Sequence, residues 1–506
     1  MTAGLPADVW ILAAGALLVA AILAAGFAGK VRIPGLLLFL VLGMLVADDG
    51  LGLVRLSDVE LAQTLGTVGL LLILFEGGLT TKPGDVRRAA GPALVLATAG
   101  VVVTAAVVAL AGWWLLDLDP LTAMLIGAVV SSTDAAAVFA VLRRSPLPRR
   151  MSALLEVESG ANDPVAIMLT VGLVATFTGS PDPTDWVVFG VTQILGGVLV
   201  GALVGLAGSW MLSRAALGPT GVYPVLALGI AGLAYGTAAL VGGSGFLAVY
   251  IAGLVVGAKV TLHRREIRTF HEGLSNTAEV GLFLLLGMLV FPSQLPPVAG
   301  TAVLVAVVLV LVARPLAVGL CLVWFGYSWR EILFVSWVGL RGAVPIVLAT
   351  FPAVAGYPEG DLIFNVVFFV VLTSAAIQGV SIRWVARVLG IEATPHDLDP
   401  VTSGRPLAGT GAELFEVPVR TDLALVGRAV AAVVPPCGTI AAVVRGKEAL
   451  APQAPVVLVP GDVLLLIVPH RPDAARQVTA WARGEAVEER PHDVVDERPH
   501  DPNQKG

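Results

Sequence analysis

Leu155-Glu156-Val157-Glu158-Ser159-Gly160-Ala161-Asn162-Asp163-Pro164 sets two glutamates, a serine, an asparagine and an aspartate inside an otherwise largely apolar stretch. Helical spacing puts Glu158, Ser159 and Asn162 on one face, with Asp163 one step around and four residues after Ser159. Pro164 carries no N–H, so the Gly160 carbonyl loses its usual helical partner and is free to face an ion or water. Glu156 sits near the start of the stretch, where an interfacial or capping role is the plain alternative. Asp163 falls well inside it, and an ionisable side chain at membrane depth is costly and usually functional.

The rest of the chain supplies that membrane. Of 506 residues, 57% are hydrophobic and 13% charged, and the mean hydropathy is +0.88. Soluble proteins carry about 25% charged residues. Apolar runs of about 20 residues mean many membrane spans. A soluble enzyme, a nucleic-acid binder and an outer-membrane barrel of alternating strands are thereby excluded. The two cysteines, Cys321 and Cys437, make no disulfide framework. No glycine-rich phosphate loop with a lysine and no clustered Cys/His site is present, which leaves an ion gradient as the energy source.

Thirteen spans are predicted, at roughly 9–28, 33–48, 61–79, 90–116, 120–142, 153–177, 185–212, 220–241, 244–260, 274–291, 298–326, 332–353 and 361–388. The first span is read as retained, not as a cleaved leader, because no positive residue precedes it. Loop charges orient the set. Lys30, Arg32, Lys82, Arg87, Arg88, Arg143, Arg144, Arg149, Arg150, Arg214, Lys259, Arg264, Arg265, Arg268, Arg330, Arg383 and Arg387 fall on one side; the other holds Arg55 and mostly acids. An outside N-terminus and a cytoplasmic C-terminus in the inner or plasma membrane follow.

Two spans are interrupted. The fifth carries Gly127, Ser131, Ser132, Thr133 and Asp134; the twelfth carries Gly339, Arg341, Gly342 and Pro345. Local unwinding frees backbone groups to line a cavity, and interrupted helices at corresponding places point to an inverted-repeat transporter with a midplane site. Arg314, deep in the eleventh span, needs a carboxylate or backbone carbonyls, and Glu158 is the natural partner. Arg341 would compensate the dipole ends of the broken helices. Glu76 closes the third span as a cavity acid or an interfacial one. Gly197, Gly201 and Gly205 repeat the GxxxG spacing of a close helix contact. Thr67-Val68-Gly69 and Thr170-Val171-Gly172 are read as chance, since a channel filter is a re-entrant loop. His263 and His271 are read as solvated loop residues.

After residue 390 the composition changes. Residues 391–410 read as a linker and 411–484 as a small β-rich cytoplasmic domain with runs at Val443-Val444, Val456–Val459 and Val463–Val468 and a turn at Pro460-Gly461-Asp462. Residues 485–506, which repeat Glu-Arg-Pro-His-Asp, read as a disordered tail.

Residues 156–164, with Thr133-Asp134, Arg314 and Gly-Leu-Arg-Gly-Ala-Val at 339–344, strongly resemble the monovalent cation:proton antiporters, in the sodium/proton exchanger branch. The resemblance covers about residues 9–390, within a transmembrane exchanger domain of residues 1–390, and implies an all-α polytopic fold of about thirteen helices, with inverted repeats, two crossing broken helices and a homodimer. It implies that Asp163 holds either a proton or a monovalent cation. Asn162 stands where the electrogenic branch has a second Asp, which implies electroneutral exchange. Thr133, Asp134, Glu158 and Ser159 join Asp163 as cation-site residues, Glu158 pairs structurally with Arg314, and Arg341 lies at the second break.

Glu-Ser-Gly-Ala-Asn-Asp-Pro is similar to the potassium/proton antiporter subgroup. Residues 411–484 resemble the C-terminal lobe of the regulator-of-potassium-conductance module (RCK-C, TrkA-C type), on Phe415-Glu416-Val417, Leu425-Val426-Gly427, Ile440–Arg445 and Pro460-Gly461-Asp462. Such lobes bind a small regulatory ligand, in some cases a nucleotide of the cyclic dinucleotide class. The expectation is a secondary antiporter, not an enzyme, with no resident cofactor, that exchanges K+ and also Na+ for H+ in a lipid bilayer. A sodium/proton antiporter with a regulatory domain and a ligand-gated cation channel are the alternatives.

Overall fold

The computed structural model describes residues 6–31, 35–53, 58–81, 83–142, 147–179, 182–214, 218–219, 221–260, 263–391, 405–407, 411–446, 448–452, 456–469, 471 and 474–485. The chain divides into two compact units, Met1–Glu392 and Ala393–Gly506. The expected tail lies outside the described residues from 486 onward, as does most of the expected linker.

The first unit is helical. It begins with α1 (Pro6–Val31), α2 (Gly35–Val46) and α3 (Val59–Thr80); α4 (Pro83–Val95) then runs through a π turn, Leu96–Gly100, into α5 (Val101–Leu116). A broken pair follows, α6 (Pro120–Val129) and α7 (Ala135–Leu142), and then α8 (Arg149–Thr178). Next come α9 (Pro183–Arg214), α10 (Val222–Leu240), α11 (Gly245–Lys259) and α12 (Arg264–Met288). The pattern of the first half then recurs. A helix interrupted by a π turn, α13 (Leu295–Val308) through Leu309–Ala313 to α14 (Arg314–Leu322), precedes a broken pair, α15 (Trp329–Trp337) and α16 (Ala343–Val354), and a long α17 (Gly360–Leu389). Both α8 and α17 are 30 residues long.

Among the described residues, seven helical stretches are long and apolar enough to cross a bilayer: Val59–Thr80, Ala89–Leu116, Arg149–Phe177, Thr184–Arg214, Val222–Leu240, Pro292–Phe325 and Gly360–Leu389. Shorter apolar helices, such as α2, α6, α11 and α16, pack among them.

Local chemistry places the helix ends. Asp119 accepts from the Leu121 and Thr122 N–H groups and precedes Pro120 at the first helical position of α6. Ser328 and Glu331 form a reciprocal capping box on α15. Small residues set the closest approach: a Cβ on Gly201 of α9 would lie 2.5 Å from the Ala248 carbonyl oxygen of α11. Only a glycine lets these two backbones touch there.

Two sequence expectations are corrected here. The helix predicted to start at residue 274 starts at Arg264, ten residues earlier. His271 is therefore not a solvated loop residue. It is buried, 3.2 Å from the Pro224 carbonyl oxygen and edge-on to Phe75. Buried residues at Ile267 and His271 recur one turn apart and dock this extension against the bundle.

In the second unit, β1 (Arg405–Pro406), β2 (Ala412–Pro418), β3 (Thr439–Arg445), β4 (Glu448–Leu450) and β5 (Val463–Pro469) form an antiparallel sheet of order β1-β2-β5-β3-β4. The α18 helix (Ala474–Arg483) adds Val478 and Ala482 to the core of Phe415, Val443, Leu464 and Leu466. The sheet begins at Arg405, within the stretch read as linker. Val456–Val459, expected as a strand, is irregular apart from one bridge between Ala429 and Val457. Its carbonyls serve other partners instead: Leu458 accepts from Gly427 N–H, and Val456 from Val430 N–H.

Candidate functional site

The break between α6 and α7 is built from its own hydroxyls and from α8. Ser131 donates back to the Ala128 carbonyl at 2.6 Å, which occupies one of the carbonyls left over at the end of α6. Asp134 accepts from the Ala137 N–H at 3.1 Å and so caps the start of α7. From α8, the Ser159 hydroxyl donates to the Thr133 carbonyl at 3.0 Å and accepts from the Ala135 N–H at 3.1 Å. Thr133 donates to Glu158 Oε1 at 3.0 Å; the Asn162 amide donates to Thr133 Oγ1 at 2.7 Å and to Glu158 Oε1 at 3.0 Å.

Arg314 closes this network. It is the first residue of α14, directly after the π turn Leu309–Ala313, and it donates to Glu158 Oε1 at 3.1 Å and Oε2 at 3.2 Å. Glu158 is 1% exposed and Arg314 2%. A buried pair of this kind holds only because each charge answers the other.

The break between α15 and α16 meets the first one. The Asp134 N–H donates to the Leu340 carbonyl at 2.8 Å, and Arg341 Nε donates to the Val130 carbonyl at 2.8 Å. Arg341 Nη1 also donates to Gly339. One guanidinium, 2% exposed, thus serves carbonyls at the C-terminal ends of two half-helices. Gly342, at the N-terminal end of α16, abuts Asp134 so closely that a Cβ there would collide with the Asp134 carboxylate.

Beside the crossing lies a cavity of about 390 Å³, lined by Glu76, Ser132, Thr133, Asp134, Glu156, Ser159 and Asp163, among others. Glu76, read from sequence as either a cavity or an interfacial acid, is on the wall. Glu158, Asn162, Arg314 and Arg341 sit behind it and hold it in shape. Asp163 is 8% exposed, and among the described residues no Lys, Arg or His forms an ion pair with it. The bracing charges are therefore matched, Glu158 by Arg314 and the half-helix ends by Asp134 and Arg341. Asp163 is left as a nearly buried carboxyl that a proton or a cation in the cavity would neutralise.

The wall also holds residues that sequence reasoning passed over: Tyr250 of α11, and Ser275, Asn276 and Glu279 of α12. Tyr250 presses against α8, where a Cβ on Gly160 would lie 2.6 Å from the phenol. A signal for the α12 group existed in the sequence. Ser275 and Glu279 stand four residues apart, on one helical face, at the start of an apolar run.

Residues 16–388 match the family model described as sodium/hydrogen exchanger, transmembrane. Across 463 residues, 90% of this chain and 80% of the relative, the sequence is 38% identical to the K(+)/H(+) antiporter NhaP2 of Shewanella sp. (strain MR-4). It is 42% identical over 398 residues, 77% of this chain and 68% of the relative, to the K(+)/H(+) antiporter NhaP of Alkalimonas amylolytica. The fold matches that of the sodium proton antiporter MjNhaP1 of Methanocaldococcus jannaschii with a TM-score of 0.66 at 25% identity, over 74% of this chain and all of that one. A polytopic helical unit, two breaks that meet beside a buried aspartate, and a family match across both breaks have one conclusion: the chain belongs to the sodium/hydrogen exchanger family.

Proposed function

We propose that this protein is a secondary antiporter that exchanges K+, and also Na+, for H+ one for one across the cell membrane. The observation that carries the reading is Asp163, nearly buried on the cavity wall beside two matched sets of charges. In a cavity that strips away water, a carboxyl resists ionisation unless a cation is near it. Proton and cation then compete for one group. Exchange is obligatory if the helices around Asp163 cross only when it is neutral, because a bare charge opposes passage through the hydrophobic barrier. Asn162 supports electroneutrality, since its amide carries no charge and is held by Thr133 and Glu158. The names of the relatives at 38% and 42% identity favour K+. A Na(+)/H(+) antiporter of Pseudomonas aeruginosa, 31% identical over 350 residues, keeps Na+ within the reading.

The finer architecture belongs to the same proposal. The recurrence of π-interrupted helix, broken helix and long helix supports inverted repeats, and the shorter apolar helices together with α12 bring the proposed crossings to thirteen. The cavity walls include Gly77, Thr80 and Thr81 at the end of α3 and Phe139 of α7. Both helices lead into loops that are basic in sequence, with Lys82, Arg143 and Arg144. By the positive-inside rule this supports a cavity mouth and a C-terminus in the cytoplasm and an N-terminus outside. The five-stranded sheet with α18 supports an RCK-C-like regulatory domain over residues 411–484 that takes a small ligand, with a cyclic dinucleotide as the first probe, and two copies of the chain form a dimer.

The test is proton flux in proteoliposomes after addition of K+ or Na+, with and without a clamped membrane potential, for wild type and Asp163→Asn. Flux driven by K+, indifferent to the potential and absent in the variant, is the expected result. Preference for Na+ would move the assignment to a sodium/proton antiporter. Cation flux that survives Asp163→Asn would overturn the carrier and favour a channel.

A further inference from the structure

The helices of the membrane unit pack in two groups. In one, α3 packs on α11 and α12, α12 on α2, and α11 on α9 and α10; in the other, α5 packs on α6, α4 on α8, α13 and α16 on α17, and α14 on α15. The cavity lies between them, and both groups contribute acids to it. Asp134, Glu156 and Asp163 come from the second group, Glu76 and Glu279 from the first.

Glu279 and Glu76 stand on different helices of the same wall. Glu76 is about 6 Å along the axis from Thr80 at the end of α3, at 1.5 Å per residue. Glu279 stands where the polar first half of α12 gives way to its apolar run. It is half-buried, and Asp134 and Glu76 are both within electrostatic reach of it. Among the described residues no Lys, Arg or His forms an ion pair with it. A half-buried carboxyl on the cavity wall with no cation paired to it is, like Asp163, short of a counter-charge.

We propose that Glu279 is a specificity and affinity residue for the transported cation on one face of the membrane only. With the site open to this cavity, a cation held by Asp163 beside Asp134 shares the cavity with the Glu279 carboxylate, which stands within electrostatic reach of Asp134. Ser275, one turn away on the same face, adds a hydroxyl to that wall. The two acids belong to different helix groups. Any movement that carries Asp163 to the other side of the membrane, relative to α3 and α12, parts it from Glu279. The cation then leaves a site with one carboxylate fewer. Entering ions are held more tightly at the face where the cavity opens, cytoplasmic in the proposed orientation, than at the opposite face. This rests on the reading of Asp163 as the group that carries the ion.

The experiment measures cation-dependent proton flux in oriented proteoliposomes, with K+ varied at one face and then at the other, for wild type, Glu279→Gln and Glu279→Asp. Removal of one unit charge from the surroundings of the ion should raise the apparent KM for K+ at the cavity face roughly tenfold. The maximal rate should fall less than the KM rises, and the KM at the opposite face should stay within roughly twofold. Glu279→Asp keeps the charge and should recover most of the KM. A KM unchanged at both faces overturns the proposal, and so does a KM raised equally at both. If Glu279→Gln does not fold, Glu279→Ala decides: it removes the same charge and must produce the same one-sided rise, and a symmetric rise or none overturns the inference. Absence of exchange in the wild type would instead sink the antiporter reading, a failure distinguishable from these.

Discussion

The two breaks meet at one point and yet are braced by different chemistry. The first, at residues 130–134, is tied to α8 by Ser159 and, through Thr133 and Glu158, to the guanidinium of Arg314. The second, at residues 338–342, is tied to α17 by neutral groups. The Arg341 N–H approaches Ser374 Oγ at 3.4 Å, Ser374 donates to Gln378 Oε1 at 2.5 Å, and the Gln378 amide donates to the Trp337 carbonyl at 2.8 Å. Charge is concentrated on the side of the crossing that carries Asp163. A pair already satisfied next to Asp163 holds the loop still and leaves that one carboxyl without a matching charge. The difference separates residues that brace from the residue proposed to switch.

The comparison can be broken at its strongest point first. Glu158→Gln leaves Arg314 as a buried charge facing a neutral amide, and loss of one partner of such a pair costs about 3–5 kcal/mol. A large fall in melting temperature in detergent should accompany loss of exchange. Adding Arg314→Met to the same chain should restore much of the stability without the exchange, because the lone charge is gone but the brace is not rebuilt. A single substitution that leaves the melting temperature unchanged would mean that the pair does not hold the first break.

The neutral brace should be cheaper to cut. Gln378→Leu removes its bonds to Ser374 and the Trp337 carbonyl, at about 1–2 kcal/mol for a neutral hydrogen-bonding group lost in a buried site. Exchange should persist within roughly threefold, since Arg341 keeps its bond to Val130. Equal losses from Glu158→Gln and Gln378→Leu, read by the same melting and flux assays, would erase the distinction between the two breaks.

Much of this was legible in the sequence because membranes impose simple rules. Apolar runs mark helices, and hydroxyls, glycines and charges in the midst of one stand out, as at Ser131–Asp134 and Gly339–Gly342. The π turns at Leu96–Gly100 and Leu309–Ala313 leave no such trace, for Leu-Ala-Thr-Ala-Gly and Leu-Val-Leu-Val-Ala suit an ordinary helix. Yet the second of them delivers Arg314 to Glu158. The amphipathic start of α12 was hidden for the opposite reason: Arg264, Arg265 and Glu266 read as loop, which concealed the burial of His271 and drew attention from Glu279. Hydropathy reports where a helix can sit in lipid, not which polar face it turns to a cavity.

Another ion pair, outside the membrane unit, gives the smallest expected effect and sharpens the contrast with Glu158 and Arg314. Asp462, at the Pro460-Gly461-Asp462 turn where Gly461 has φ +98°, accepts from Arg445 Nε at 2.7 Å and Nη2 at 2.8 Å and from the Val459 N–H at 3.0 Å. The Arg445 guanidinium holds the Asp462 carboxyl below its ordinary range, against the opposing pull of burial. A depressed carboxylate contributes stability above its unfolded pKa, about 3.9, and loses that contribution as pH falls through the folded value. Arg445 is 45% exposed, so water and salt screen this pair as they cannot screen Glu158. Melting of the second unit, followed in the full chain by the fluorine resonance of a fluorotryptophan label at Trp481, should be flat between about pH 8 and 6 and decline only as the carboxylate becomes protonated below its unfolded pKa. Asp462→Asn should lower the neutral-pH melting temperature modestly and flatten the acid decline, with added salt narrowing the gap between the two proteins. A decline of the same steepness in Asp462→Asn would assign the acid sensitivity to other carboxylates and leave this pair without a role in it.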